Sequence, residues 1–380
     1  MLTSDSEISA TEAGLPGSPP GRWITGVTAE MPLLDALDIV FTQRFQGVLH
    51  FLPLAAERSV ENIGFVHKLR VSCRRLAAVL DILAEALPET PRKSLLKLIN
   101  EIRKSCGRAR DLDVRRTHLE SLLKMASVEE AAVLELLCQS IARRRKKMQR
   151  RLARKLPRLQ KDFTRASEEL LASLRSAQQT AANGSASFGR LGCRILTREL
   201  TDLWETASQE PDSTQRLHQL RIACKHLRYA AEIFMPALPD LFREDFYPQI
   251  ENIQELLGEF HDAAEATVAF KRMKKKWKKW KGTKKWTRHG LDGFHWRELR
   301  SGLDAILLAY AQQSDHARTE FLDLWPGFAG GSFREPVTEL LTEQVTAESA
   351  PPEDEHVTPQ MTADIPGHDP GDNDERLLPH

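Results

Sequence analysis

The chain has 380 residues, of which 41% are hydrophobic, 28% are charged and only 7% are aromatic. This composition indicates a soluble globular protein with enough residues for one or two domains. No apolar stretch reaches the roughly 18 residues that a membrane-spanning helix needs, which excludes a membrane span. Leu and Ala are frequent and aromatic residues are few, so we predict an all-α fold.

The net charge of +1 conceals two regions of opposite sign. Residues 336–380 contain 11 acidic residues and one basic residue, which leaves 53 basic against 42 acidic residues in 1–335. A basic body with an acidic tail indicates an anionic partner, and it predicts that the tail competes for the same surface.

The two ends of the chain differ in composition from the rest. Residues 1–28 and 336–380 are rich in Pro, Ser, Thr and acidic residues, so both are predicted to be disordered. The N-terminus has no basic stretch followed by an apolar run, so we expect no secretion signal. The five cysteines form no Cys-x-x-Cys pair and are predicted to be core residues in a reducing compartment. We therefore expect a cytoplasmic protein.

Between these ends the apolar residues recur with helical periodicity almost without interruption. Prolines and the Asn183-Gly184 pair are the strongest helix-breaking signals in this region. The predicted breaks therefore lie at Pro53, Pro88, Pro91, Pro157, Asn183, Pro211, Pro236 and Pro239.

Two blocks of sequence recur at one offset of 151 residues. Residues 66–76 align with 217–227, and Ile102…Gly107…Asp111 aligns with Ile253…Gly258…Asp262. Two separate blocks that share one offset indicate an internal duplication into two subdomains rather than a short-period repeat. We predict halves at 29–184 and 185–335, with the seam at Asn183-Gly184.

The first block of each copy predicts a helix with an apolar face and an opposing basic stripe. The first stripe consists of His67, Arg70 and Arg74, with Arg75 at its flank. The second stripe consists of His218, Arg221, Lys225 and Arg228.

A basic stripe is either a solvated helix face or an anion-binding surface. Like charges three and four residues apart repel each other on a helix, and arginine offers a planar set of donors for phosphate oxygens. The single sign of the stripe and its recurrence at the matching position favour anion binding. If the halves pack about a two-fold axis, the two stripes would line one groove.

Two further basic tracts occur. Residues 143–158 contain ten basic residues, which predict either a solvated helix face or an anion-binding face. Residues 271–288 contain eleven, interleaved with Trp277, Trp280 and Trp286. For this second tract we predict that the tryptophans pack on a neighbouring helix, and base stacking is the alternative.

The chain offers few catalytic candidates. His261-Asp262 resembles the metal-binding doublet of helical phosphohydrolases, but the repeat aligns His261 with Arg110 and Asp262 with Asp111. We therefore interpret the doublet as a local substitution in a structural motif. His67 and His218 have no second metal ligand at suitable spacing on their own helices. No nucleotide-binding or hydrolase motif is present, so we predict no catalytic residue, no metal and no cofactor.

These motifs resemble the conserved histidine α-helical domain (CHAD) family. The resemblance rests on His67–Leu76 with Gly107–Asp113 and on His218–Arg228 with Leu257–Asp262, and it extends over about 30–330. It implies two four-helix bundles related by a pseudo-two-fold axis, which bind inorganic polyphosphate non-enzymatically through a basic groove at polyphosphate granules. No signature of the triphosphatase domain that some members carry is present.

The resemblance assigns polyphosphate contacts residue by residue. Two departures are Ala77, which stands where the second copy has Arg228, and His226, which stands where the first has Arg75. The alternatives are nucleic-acid binding by the same basic surface and metal-dependent phosphohydrolysis at His261-Asp262. The predicted polyphosphate-binding residues are His67, Arg70, Arg74, Arg75, Arg110, His218, Arg221, Lys225, His226 and Arg228.

Overall fold

The computed structural model describes residues 21–347 apart from 60, 181–186, 209 and 212. Within these residues the chain is helical, and strand pairing is limited to an isolated bridge between Pro32 and Ser187. The predicted all-α class is confirmed. The helices are α1 (Leu33–Glu57), α2 (Gly64–Ile82), α3 (Glu89–Leu123), α4 (Val128–Thr180), α5 (Phe188–Ala207), α6 (Thr214–Phe234), α7 (Tyr247–Trp280), α8 (Lys284–Arg288), α9 (Trp296–Ala329) and α10 (Gly331–Ala347).

The predicted boundaries of the disordered ends do not coincide with the structure. Residues 1–20 and 348–380 lie outside the described residues. Ile24 and Val27, however, are buried in the core, and so are Val337 and Leu341 of α10. The predicted disordered ends, with boundaries at 28 and 336, therefore extend too far into the folded part of the chain. Composition does not reveal that a few apolar residues in these segments pack in the core.

Two of the predicted helix breaks are wrong. Pro53 lies inside α1 and Pro157 lies inside α4, a helix of 53 residues. Leu156 and Leu159 on either side of Pro157 are both buried, as is Phe163 one turn later. Continuous packing of this apolar face offsets the hydrogen bond that a proline removes. The predicted break at Asn183-Gly184 lies outside the described residues.

The predicted inward faces of the two motif helices are confirmed. Each helix buries one apolar stripe and directs most of its charged residues elsewhere. The cysteines follow the same pattern, since four of the five are buried and all five are free thiols. The buried residues are Val66, Leu69, Cys73, Leu76, Leu80 and Leu83 in the first motif, and Leu217, Leu220, Cys224, Leu227, Ala231 and Phe234 in the second.

Helix packing brings the two motif helices together. α1, α2, α3 and α4 pack in a closed ring, and α5, α6, α7, α9 and α10 form a second group. Contacts of α2 with α6, α4 with α9 and α1 with α5 join the two groups. One apolar cluster spans most helices, and a second joins α3 and α4 to α7 and α9, so both clusters contain residues from each side of the predicted seam. Among the described residues, no helix has the length and apolarity needed to cross a membrane.

Gly192 allows α5 to approach α6 closely. A Cβ at this position would lie 2.7 Å from Cδ1 of Phe234, which is fully buried. We expect Gly192→Ala to lower the free energy of unfolding by about 1–3 kcal/mol, because the core cannot admit the methyl group. In Gly258→Ala the nearest atom would be 4.0 Å away, so the helix propensity of alanine should raise stability by roughly 0.5–1 kcal/mol. Urea unfolding measures the free energy of unfolding of both variants. An equal change in the two variants would contradict this difference in packing.

Candidate functional site

The two predicted basic stripes meet where α2 packs against α6. Arg74 of α2 interacts electrostatically with Arg70 on its own helix and with Arg228 of α6. Lys225 of α6 in turn interacts with Arg74 and with Arg103 of α3. Positively charged side chains of α2, α3 and α6 therefore lie close enough to interact, although α6 is far from α2 and α3 in sequence.

Arg70 and Arg221 occupy equivalent places, each lying over a glycine of the neighbouring helix. Nη1 of Arg70 donates a hydrogen bond to the carbonyl oxygen of Arg103 at 2.8 Å. A Cβ at Gly107 would lie 3.5 Å from the same nitrogen, and a Cβ at Gly258 would lie 4.0 Å from Nε of Arg221. The aligned glycines lie within helices α3 and α7, and both distances correspond to ordinary van der Waals contact.

We name the group of convergent cations the central basic cluster. None of its members forms an ion pair with a carboxylate of the described residues. Nε of Arg74 and Nε of Arg221 are buried and have no hydrogen-bond partner in the described part of the chain. The central basic cluster consists of Arg70, Arg74, Arg103, Arg110, Arg221 and Lys225.

Sequence reasoning missed Arg103. This arginine precedes Gly107 by one helical turn, so it lies on the same face of α3 as the glycine beneath Arg70. The residue at the 151-residue offset from Arg103 is Gln254, so comparison of the two sequence blocks gave no signal for a cation there. A helical wheel of the Gly107 block would have revealed it.

The clustering of like charges has measurable electrostatic consequences. Burial, followed by the charges of Arg74, Arg103 and Arg221, lowers the pKa of Lys225 to about 8. Burial also lowers the pKa of Arg110; the carboxylate of Asp113 opposes this shift, and the charge of Arg70 adds to it. Holding these cations together is unfavourable in the absence of a counter-anion, so the cluster is suited to an anion carrying several charges.

Two of the predicted contact residues lie elsewhere. Arg228 is only 9% exposed, so its predicted place on the outward stripe is wrong. Its Nε lies 3.5 Å from Oε1 of Glu232, and Nε of Arg75 lies 2.8 Å from Oε2 of the same carboxylate. Arg75 and Arg228 thus neutralise the buried Glu232, which aligns with Asp81 at the 151-residue offset.

Glu232 is the centre of a buried charged network that joins α1, α2, α6 and α7. The Tyr247 hydroxyl donates a hydrogen bond to Oε1 of Glu232 at 3.1 Å, and Nη2 of Arg44 lies 3.4 Å from its backbone oxygen. Burial alone would raise the pKa of Glu232, but Arg75, Arg228 and Arg44 together hold it below its ordinary value. This network is structural, since its central carboxylate is closed to solvent.

The histidines occupy three different environments. His218 is exposed, and its ring centroid lies 5.2 Å from that of His261 on α7. His226 is 59% exposed, with Nδ1 3.9 Å from a carboxylate oxygen of Glu199. His67 is half-buried on α2, one turn before Arg70. Of these, His218 adjoins the α7 block that carries Gly258.

The His261-Asp262 doublet lies beside the central basic cluster. Nε2 of His261 lies 3.7 Å from Oε1 of Glu265, and Asp262 interacts electrostatically with Arg221 and Arg110. The described residues contain no group of three His, Cys, Asp or Glu side chains arranged to hold a metal ion. The geometry therefore gives the phosphohydrolase alternative no support.

The two basic tracts contain both structural and exposed residues. Arg145 is buried, and its Nε lies 2.7 Å from Oδ1 of Asp113, whereas Arg143, Arg144 and most other basic residues of 143–158 are exposed. Trp277 is 8% exposed and belongs to the apolar cluster between α3, α4, α7 and α9. The predicted packing role is confirmed for Trp277.

A cleft of about 400 Å³ lies apart from these charges, between α5 and α10. Trp204, Leu200 and Leu341 contribute apolar surface to it, and Arg334 lies at its edge with its guanidinium 5.9 Å from the Trp204 ring. None of the predicted site residues lines this cleft.

The fold and the central basic cluster define an all-helical protein whose charge is concentrated where two motif helices meet. The sequence model of the CHAD domain matches residues 50–271, more than half of the chain. The chain therefore belongs to the CHAD domain family.

Two solved structures share this fold. The CHAD domain from the plant Ricinus communis has 21% identity and a TM-score of 0.57, over 76% of this chain and 97% of its own. PptA from Streptomyces chartreusis has 16% identity and a TM-score of 0.55, over 78% of this chain and 99% of its own. No curated protein sequence matches the chain.

Proposed function

We propose that this protein binds inorganic polyphosphate through the central basic cluster and catalyses no reaction. The observation that carries the proposal is the convergence of six cations from α2, α3 and α6, none of which forms an ion pair with a carboxylate of the described residues. Membership of the CHAD family supports it, because that family is associated with polyphosphate binding. We further propose that the protein acts in the cytoplasm, at polyphosphate granules.

We also propose that the two halves arose by duplication and that their basic helices line one groove. The matching pairs support this idea: Arg70 lies over Gly107, and Arg221 lies over Gly258, at the same 151-residue offset. A chain of phosphates in such a groove would contact both helices at once.

The predicted contacts divide into three roles under this proposal. The cluster residues bind phosphate oxygens, and His67 and His218 extend the surface along α2 and α6. His226 lies at the edge, where it interacts electrostatically with Asp81. Arg75 of α2 holds α2 against α6 through Glu232, and Arg228 pairs with Glu232 on its own helix and with Glu251 of α7, so both act on the ligand only indirectly.

Competition distinguishes polyphosphate from nucleic acid. Both ligands are polyanions, and both should bind more weakly at high salt because binding releases counterions. We expect long-chain polyphosphate to displace single-stranded DNA of equal charge from the full chain, measured by fluorescence anisotropy of labelled DNA. If polyphosphate fails to displace the DNA, the nucleic-acid alternative replaces this proposal.

Lys225 predicts a dependence of binding on pH. A bound anion favours the protonated amine, whose pKa in the free protein is about 8. Affinity should therefore fall, by up to about tenfold, as pH rises from about 7 to about 9. Lys225→Arg stays charged over this range and should lose that dependence. Calorimetric titration of both proteins at both pH values measures this difference. If affinity changes with pH equally in the two proteins, Lys225 does not contact the ligand.

The acidic tail predicts autoinhibition. Residues 348–380 lie outside the described residues, and α10 before them is packed through Val337 and Leu341. A deletion that starts at 348 therefore spares the core. We expect it to tighten polyphosphate binding at low salt, since it removes nine competing carboxylates. Unchanged affinity would dismiss the tail as a competitor.

A further inference from the structure

A second basic surface lies at the far end of α7, away from every predicted binding residue. Residues 271–288 contain eleven basic side chains and no acidic one. The match to the CHAD sequence model ends at residue 271, so that match does not include the rest of this tract.

Side chains of three helices converge on His289 there. Desolvation, followed by the positive charges of Arg144, Lys276, Arg288 and Lys285, lowers the pKa of His289. Arg144 belongs to α4, Lys276 to α7, and the other two to α8, and all four are exposed. We name Arg144, Lys276, Lys285 and Arg288 the distal basic surface.

The distal basic surface is not neutralised by the described part of the protein. None of its four members forms an ion pair with a carboxylate of the described residues, and in the tract only Lys274 does so, with Asp304. Four exposed cations without counter-charges attract a polyanion.

The aromatic rings of the tract are engaged within the chain. The ring of Trp280 stacks on His289 with centroids 4.3 Å apart and planes 5° apart, and Nζ of Lys276 lies 4.8 Å from the Trp280 centroid. Trp277 is buried. Because base stacking needs an available ring face, these contacts favour a polyanion without bases over single-stranded nucleic acid.

Helix α7 connects this surface to the central basic cluster. His261, which adjoins His218, and Lys276 are 15 residues apart on α7, which corresponds to about 22 Å. Arg272 lies between them on the same side of the helix, within about 60° on a helical wheel. A ligand that reaches both sites must therefore be an extended chain.

We propose that the distal basic surface binds a second stretch of a long polyphosphate chain whose first stretch occupies the central basic cluster. This inference rests on the proposed function. It assigns preference for long chains to a surface of which three members, Lys276, Lys285 and Arg288, lie beyond the residues that the CHAD sequence model matches. Short phosphate oligomers are held by the central basic cluster alone.

The test is the variant Lys276→Glu/Lys285→Glu/Arg288→Glu in the full chain, titrated calorimetrically with long-chain polyphosphate and with tripolyphosphate. All three residues are exposed, so the fold should be retained. We expect affinity for the long chain to fall at least about tenfold and its salt slope to decrease by roughly two, since three phosphate contacts are lost. Affinity for tripolyphosphate should not change.

The matched control is Arg190→Glu/Arg194→Glu/Arg318→Glu, which makes the same charge change at exposed positions on α5 and α9. Unchanged long-chain affinity in the distal variant would overturn the inference, and so would equal losses in the two variants. In a parallel titration with single-stranded DNA, a loss of affinity confined to the DNA would overturn the inference and assign the surface to nucleic acid. If the unmodified protein binds neither phosphate ligand, the proposed function itself fails.

Discussion

Replacement of Arg70 and Arg221 by glutamate is expected to abolish polyphosphate binding and leave the helical circular dichroism spectrum unchanged. Both arginines belong to the central basic cluster and lie over glycines, opposite the buried faces of α2 and α6. Hydrogen bonds to charged groups contribute about 1.5–3 kcal/mol each, so the loss of two should weaken binding at least ~100-fold. Calorimetric titration of the double variant measures the loss.

The matched control is Arg190→Glu/Arg194→Glu, which alters two exposed arginines of α5. It should bind polyphosphate nearly as tightly as the unmodified protein. The milder variant Arg70→Gln/Arg221→Gln separates loss of contact from charge repulsion and guards against misfolding. Full affinity in a folded glutamate variant would remove these arginines from the site.

Glu232→Gln is expected to cause a much larger loss of stability than the removal of an exposed carboxylate. The Glu232 carboxylate is 1% exposed and compensates the half-buried Arg75, which would lose its counter-charge, and the buried Arg228, which would keep only Glu251. Breaking a buried ion pair in this way costs about 3–5 kcal/mol. The control Glu169→Gln, in an exposed pair with Arg165, should cost less than ~1 kcal/mol. Urea unfolding near neutral pH compares the two.

We also expect the loss of stability in Glu232→Gln to depend on pH. The pKa of Glu232 lies below its ordinary value of 4.5, so the stability that the carboxylate provides is present above about pH 4.5 and is lost as pH falls further. The difference between the unmodified protein and Glu232→Gln should therefore narrow in acid. A constant difference down to about pH 2 would show that the network does not depend on ionised Glu232.

The helical class and the inward faces of the motif helices could be predicted from the sequence because both depend on local periodicity. The buried positions of Cys73 and Cys224 follow from the helical wheel alone. The helix break predicted at Pro157 is wrong, because the apolar face of α4 packs on either side of this proline. Such packing is a tertiary effect that the local sequence does not show.

The site could be predicted only in part. Repetition identified Arg70 and Arg221, but it gave no information on Arg103, whose aligned residue is Gln254. Arg228 was misplaced because its partner acids, Glu232 and Glu251, come from the next turn of α6 and from α7. A wheel assigns a side chain to a face, whereas burial of that face depends on the neighbouring helices.

The most direct test of the central claim is titration of the unmodified full chain with long-chain polyphosphate at roughly 50 mM and 200 mM salt. If six or more phosphates are neutralised, affinity should fall on the order of a thousandfold between the two conditions. Absence of binding at the lower salt concentration, or an affinity that does not change with salt, would contradict a polyphosphate site built from the central basic cluster.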